Sequence, residues 1–198
     1  MSCLTDRLSA DILADCKNLV FSGIEADLLL IPHSQVDKTA STFDTENPML
    51  ITDLVLKAGA SGYLLEGVKQ VNGYNTEFVP GDDQTLDKFR HNANGRILSP
   101  TAENRLQLSK LAKNESYIVV AERRWKGPDS NDAFIVLGWD TGLYLNESIE
   151  NPLENEGAIT IGLSSRDGML ESEGAYVLLD TDYDTTKLAF DNKFASEP

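Results

Sequence analysis

Between Ser116 and Glu147 the chain reads SYIVVAERRWKGPDSNDAFIVLGWDTGLYLNE, a pattern that leaves few structures open. The first arm, Ser116–Trp125, is β-branched and aromatic at its ends and charged in the middle. The second, Ala133–Leu145, carries Phe134, Val136, Trp139, Leu143 and Leu145. Between them the segment KGPDSND, Lys126–Asp132, collects nearly every residue type that favours a turn. The expectation is a long β-hairpin. Both tryptophans of the chain, Trp125 and Trp139, lie in it, so it holds much of the aromatic bulk available to a core. Trp139 follows Gly138 in the centre of the longest strand and is expected to be buried.

The flanking chain extends the β reading. Ala26–Ile31 is a continuous apolar run closed by Pro32, of a length that suits a buried strand. Met49–Lys57 alternates, and Tyr63–Gln70 and Tyr74–Val79 read as two strands of a hairpin turning at Asn72-Gly73, since Asn-Gly between strand-like segments is a strong hairpin signal. Phe89–Leu98, Ala158–Ser165 and Gly174–Leu179 read as further strands, and Asn18–Phe21 as a short one. A helix is expected over Thr101–Asn114, after Pro100, with Thr101 as N-cap and Lys110 and Lys113 near its C-terminal dipole. Thr185–Phe194 reads as a short terminal helix, capped by Asp184 or Thr185. The fold expected is mainly β: a single domain over residues 1–198, a β-sandwich or open barrel with one flanking α-helix. An N-terminal arm (1–16) and a long polar loop (33–48) stand apart from it.

Composition narrows the function classes. A chain of 198 residues with 41% hydrophobic content can bury a full core. Its formal net charge of −15 disfavours binding to nucleic acid or anionic membranes, which need Lys and Arg to meet phosphates. Two cysteines, Cys3 and Cys16, make no disulfide framework. Residues 1–17 carry three aspartates and no signal-peptide core, and no apolar run has the length of a bilayer span. A cytosol-like compartment is expected.

The catalytic inventory is thin. His33 and His91 are the two histidines, and neither has the spacing of a zinc site. His33 reads as a loop residue and His91 as a polar strand residue. No nucleophile elbow and no P-loop appear, so neither an enzyme nor a cofactor is expected. Asp82-Asp83 reads as a solvated turn. Asp180, Asp182 and Asp184 followed by Asp191 mimic part of a calcium loop, but Thr185 occupies the position that needs Gly. A calcium- or carbohydrate-binding β-sandwich module therefore stays an alternative.

The order of segments resembles bacteriophage tail tube (major tail) proteins. It is carried by the apolar strand Ala26–Ile31, the polar loop to Pro48, Leu50–Lys57, Tyr63–Gly67 with Gln70, Glu77–Val79 and the helix Thr101–Asn114. It continues through Val119–Trp125, the loop Lys126–Asp132, and Ala133–Leu145 with Gly138-Trp139-Asp140-Thr141-Gly142-Leu143. The resemblance implies a structural virion protein, made in the host cytoplasm, that assembles with itself and with other tail proteins. Six subunits would close into a ring, and stacked rings would enclose a channel for DNA ejection, without specific DNA binding, membrane contact, catalysis or cofactor. The assembly arm would include Asp37, Lys38, Phe43, Asp44 and Glu46. If six subunits each lent four strands to an inner barrel, strands about 4.8 Å apart and tilted about 40° would give a diameter of roughly 48 Å, wide enough for a duplex. Acidic residues alternating on strands, Glu66, Glu77, Asp140 and Glu147, are the candidates for the lumen wall, where carboxylates would repel DNA weakly and keep passage fast. A head-completion or capsid-decorating protein is the neighbouring alternative.

Overall fold

Three apolar runs without alternation set the architecture. Residues 28–31, 118–121 and 134–137 have no position that could face water, and every one of their side chains is buried. A strand with both faces apolar needs cover on both sides. The computed structural model, which describes residues 8, 10–68, 71–82, 85–113, 115–154 and 156–195, provides it. In chain order the elements are β1 (Ile24–Pro32), β2 (Thr42–Phe43), β3 (Leu50–Asp53), β4 (Tyr63–Leu65), β5 (Gly73–Val79), β6 (Lys88–Ile97) and α1 (Ala102–Leu111). There follow β7 (Tyr117–Arg123), β8 (Phe134–Leu137), β9 (Tyr144–Glu150), β10 (Ile159–Ser164), β11 (Tyr176–Leu178) and α2 (Tyr183–Asp191).

The strands form two sheets. The larger has the order β2-β3-β11-β8-β7-β1-β4, and the three apolar runs are its central strands. The smaller has the order β5-β6-β10-β9, antiparallel throughout. One face of the larger sheet, with Leu28, Leu30, Val119, Ala121, Ile135 and Leu137, packs against Ala93 and Leu163 of the smaller. The other face, with Leu29, Ile31, Ile118, Val120, Phe134 and Val136, is covered by Val36, Leu54, Leu56 and Phe190 of α2. The fold is β-sandwich-like, with a third layer of loop and helix behind the larger sheet.

The central hairpin forms as expected, β7 pairing antiparallel with β8. Its second arm, however, is not one strand. The chain leaves the larger sheet after Leu137 and enters the smaller as β9 at Tyr144. Trp139 is buried, but in the crossing rather than in a strand.

The Asn72-Gly73 hairpin does not form. β4 and β5 belong to different sheets, β4 pairing with β1 and β5 with β6. Asn72 instead spans the gap with its side chain. Its Nδ2 donates to the carbonyls of Ala26 (2.8 Å) and Leu65 (3.3 Å), and its Oδ1 accepts from the Arg96 N–H at 3.1 Å. Asn-Gly is a local signal, silent about the next partner, because strand pairing is a long-range choice.

There are two helices among the described residues, not one flanking helix. α1 has its Thr101 cap, which accepts from the Asn104 N–H at 3.2 Å, yet none of its residues is fully buried. It is fastened at the edge by Arg105, whose guanidinium meets both oxygens of Glu150 at 2.7 and 2.6 Å. α2 packs more deeply, burying Thr186 and Phe190, whereas α1 touches the core through partly buried Leu111. Its N-cap is Asp182, not Asp184 or Thr185: the Asp182 carboxylate accepts from the Thr185 N–H at 2.8 Å. Buried Glu122 of β7 holds α2 in place. It accepts from Lys126 Nζ and the Tyr183 hydroxyl, each at 2.6 Å, and lies 3.5 Å from Lys187 Nζ. No strand forms over residues 18–21. Cys3, Leu4, Gln70, Asp83 and Asn114, with the first seven residues of the expected arm, lie outside the described residues.

Candidate functional site

Two fully buried polar side chains, His91 and Glu171, meet at the crossing between the sheets. Gly138 and Gly142 bracket it, both with positive φ (73° and 79°). A Cβ at Gly142 would lie 2.5 Å from Ser116 Cβ, and one at Gly138 would lie 3.0 Å from the Tyr117 carbonyl. The five residues 138–142 can therefore turn tightly against β7 only with glycine at both ends.

Glu171 secures the turn from within. Its carboxylate, fully buried, accepts from the Asp140 N–H at 2.6 Å and the Thr141 N–H at 3.0 Å, and the Thr141 hydroxyl lies 2.7 Å away. A buried charge is tolerable when donors surround it in this way. Its backbone pairs with Phe89 in both directions at 2.9 Å, which ties the turn to β6. Asp140 in turn accepts from the Ser172 N–H at 2.9 Å and from the Ser172 hydroxyl.

Both histidines hold the backbone of this turn, at different peptides. His91 is fully buried; its Nδ1 accepts from the Gly138 N–H at 3.0 Å and its Nε2 donates to the Glu173 carbonyl at 3.1 Å. That pair of partners requires the neutral ring with hydrogen on Nε2. His33 Nε2 donates to the Trp139 carbonyl at 3.1 Å, and Lys38 Nζ donates to the Asp140 carbonyl at 3.1 Å. Burial holds both imidazoles and the Lys38 ammonium below their ordinary pKa ranges, with Lys38 adding to the effect on His33. Tyr176, packed beside the turn, is pushed up to about 12 by burial and then by the charge of Asp140. The arrangement holds backbone: His33, Lys38, His91 and Glu171 each bond main-chain groups of residues 138–141. Sequence reading placed both histidines in structural roles but had no means of seeing that they share a target, and it did not single out Glu171.

The second feature is the free face of the smaller sheet. Along β6 and β10, His91, Ala93 and Gly95, with Ile159, Ile161 and Leu163, turn to the core. The register therefore puts Asn75, Glu77, Lys88, Arg90, Asn92, Asn94, Arg96, Thr160, Ser164 and Glu147 on the opposite side. Arg90 pairs there with Asp167 at 2.5 Å. Of the expected lumen residues, Glu77 and Glu147 share this face, on its two edge strands. Glu66 lies exposed beyond β4, and Asp140 belongs to the crossing. The structure thus does not bring the four acids onto one wall. Among the described residues, β5 and β9 each have a single partner strand, and Arg105 of α1 reaches the β9 edge at Glu150.

The expected assembly loop is built into the fold. Asp37 Oδ1 accepts from the N–H groups of Thr39 (3.0 Å) and Ala40 (3.1 Å), and Asp44 Oδ1 from those of Glu46 (2.8 Å) and Asn47 (2.7 Å). Phe43 packs edge-on against Trp139 and Tyr176 at 5.3 and 5.6 Å between centroids. Glu46 is exposed. Residues 10–23 contrast with this: they form no strand or helix and expose Ile12, Leu13, Leu19, Val20 and Phe21, with the Asn18 carbonyl accepting from Trp125 Nε1 at 3.1 Å.

At the expected calcium loop, Asp182 caps α2 and Asp180 accepts from the Thr181 N–H at 2.6 Å. No group of three or more His, Cys, Asp or Glu that could hold a metal ion occurs among the described residues, and none of their helices is long and apolar enough to cross a membrane. Compared with known proteins, the chain matches no family model, no curated protein and no solved structure.

Proposed function

We propose that the chain is a self-assembling structural subunit, a bacteriophage tail tube protein whose copies close into stacked rings around a channel for DNA. The observation that supports this most is the smaller sheet: four antiparallel strands, an inner face that packs Ala93 and Leu163 on the larger sheet, an outer face that is polar apart from Val79 and Ile149, and two edge strands of equal length, β5 and β9 at seven residues each. With an even number of alternating strands, β9 of one copy meets β5 of the next antiparallel. Strand alternation then continues around a ring. A contact of this head-to-tail kind either closes or grows without limit, and closure removes edges that would otherwise invite aggregation.

Four strands per copy is the number that the barrel of roughly 48 Å needs from six copies. With the polar face inward, the wall would carry Lys88, Arg90 and Arg96 beside Glu77 and Glu147, both signs together rather than acid alone. DNA would meet a hydrogen-bonding surface of low net charge and slide past it. Residues 10–23, which overlap the expected arm 1–16 only in part, expose apolar side chains that a neighbouring copy could cover. On this reading the protein is no enzyme, takes no cofactor, acts with other tail proteins, and resides in the virion after assembly in the host cytoplasm.

Negative-stain microscopy and light scattering of the purified chain test the proposal. Rings or tubes with a bore wider than a duplex are expected. The exposed edge residues Phe78 and Ile149 changed together, Phe78→Lys with Ile149→Lys, should stop assembly and leave the melting temperature unchanged. A chain that stays monomeric at all concentrations, with its fold intact, would overturn the reading.

A further inference from the structure

We propose that His91 is an acid-sensitive latch on the joint between the two sheets: its protonation releases Gly138 and frees the 138–142 crossing from the smaller sheet. This inference is independent of the ring reading. β8 lies in the larger sheet and His91 in β6 of the smaller, so the bond from the Gly138 N–H to His91 Nδ1, 3.0 Å long, runs between sheets at the point where the chain passes from one to the other.

A proton added to the ring must go on Nδ1, since Nε2 already carries one and donates to the Glu173 carbonyl. Two donors would then face each other across the Gly138 bond. The ring is fully buried, so no water can take the new hydrogen. The charged and titratable groups around the joint are Glu171, Asp140 and Glu173 on the side of the ring, and His33 and Lys38 on the far side of the crossing. Glu171 is the buried anion that could turn toward an imidazolium. Its oxygens, however, are occupied by the N–H groups of Asp140 and Thr141, so turning would undo the other clamp on the same five residues. Either response, ring rotation or carboxylate movement, loosens the crossing.

The sign follows from the neutral ring. Burial holds His91 below the usual imidazole range, against the pull of Glu171 and Asp140. Its contribution to stability is therefore complete above the unfolded pKa near 6.5 and is lost as pH falls from there toward the depressed folded value.

Trp139 adjoins Gly138 and reports on the joint once Trp125 is replaced. In a Trp125→Phe background, emission of Trp139 and the melting temperature are followed from pH 7 to pH 5, with and without His91→Gln. A glutamine amide can accept from Gly138 and donate to Glu173 without titrating. The expected result is a red shift and a fall in melting temperature in the parent, both absent in His91→Gln. The same pH response in His91→Gln overturns the latch. If that variant does not fold, imidazole nitrogen shifts of the parent decide. An Nε2–H ring at pH 7 whose titration midpoint coincides with that of Trp139 emission supports the proposal. An Nδ1–H ring, or titration of His91 without any change at Trp139, refutes it.

Discussion

Replacing Trp139 by alanine tests where the fold stores its stability. The ring is 6% exposed although it lies in a connection, not a strand. Phe43 and Tyr176 stand edge-on to it at 5.3 and 6.4 Å, and Lys38 Nζ sits 5.6 Å from the centroid. It therefore joins three segments far apart in sequence: the loop behind the larger sheet, the crossing and β11. Truncating a buried Trp costs about 3–5 kcal/mol, including the cavity left behind. For a chain of this size each kcal/mol lowers the melting temperature by about 2–4 °C, so a fall of about 6–20 °C is expected. Trp125→Ala is the comparison. That ring is half-buried, with Arg123 over its face at 5.0 Å and one hydrogen bond to Asn18. Its loss should cost about 1 kcal/mol, the scale of an exposed cation–π contact with one hydrogen bond. Thermal unfolding followed by far-UV circular dichroism measures both without relying on tryptophan emission. Equal losses in the two variants would refute the placement of Trp139 as a core residue, as would a Trp139→Ala protein that melts with the parent.

Glu171→Gln leaves one acceptor oxygen and turns an amide NH₂ against either the Asp140 or the Thr141 N–H; leaving a buried donor unmatched costs about 1–3 kcal/mol, and hydrogen exchange in this turn should accelerate at one of those amides, whereas unchanged exchange at both would show that the carboxylate does not hold the turn. Asn72→Ala removes three bonds that join β1, β4 and β6, and should lower stability by a similar about 1–3 kcal/mol with faster exchange at Arg96; an unaltered Arg96 amide would contradict the bridging role. Tyr176 predicts alkaline behaviour: because its pKa is raised to about 12, the stability it contributes is complete below the unfolded value near 10 and is lost as pH rises from there toward 12. Tyr176→Phe should flatten that limb of the stability curve, and an identical limb would place the titration elsewhere.

How much of this was legible in the chain depends on the range of the interactions. Local patterns carried well. The apolar run closed by Pro32 marked a buried strand, and the turn residues of 126–132 placed a hairpin, whose arms pair as β7 and β8. Pro100 and Thr101 marked the start of α1, because capping is decided within one turn of chain. What the sequence did not carry was partnership. Asn72-Gly73 looks locally like a hairpin turn and is instead a passage between sheets. The stretch 133–145 looks like one strand and is divided by two left-handed glycines whose need is visible only once β7 lies alongside. The polar loop 33–48 looks like a free arm, yet Phe43 finds Trp139 and Tyr176, residues about a hundred positions or more away. His33, His91 and Glu171 are scattered polar residues in the sequence, and tertiary structure alone brings them onto one five-residue turn. The physical reason is common to all of these. Propensity and periodicity are properties of a few consecutive residues, whereas burial of a polar group is decided by whether distant chain supplies its partner.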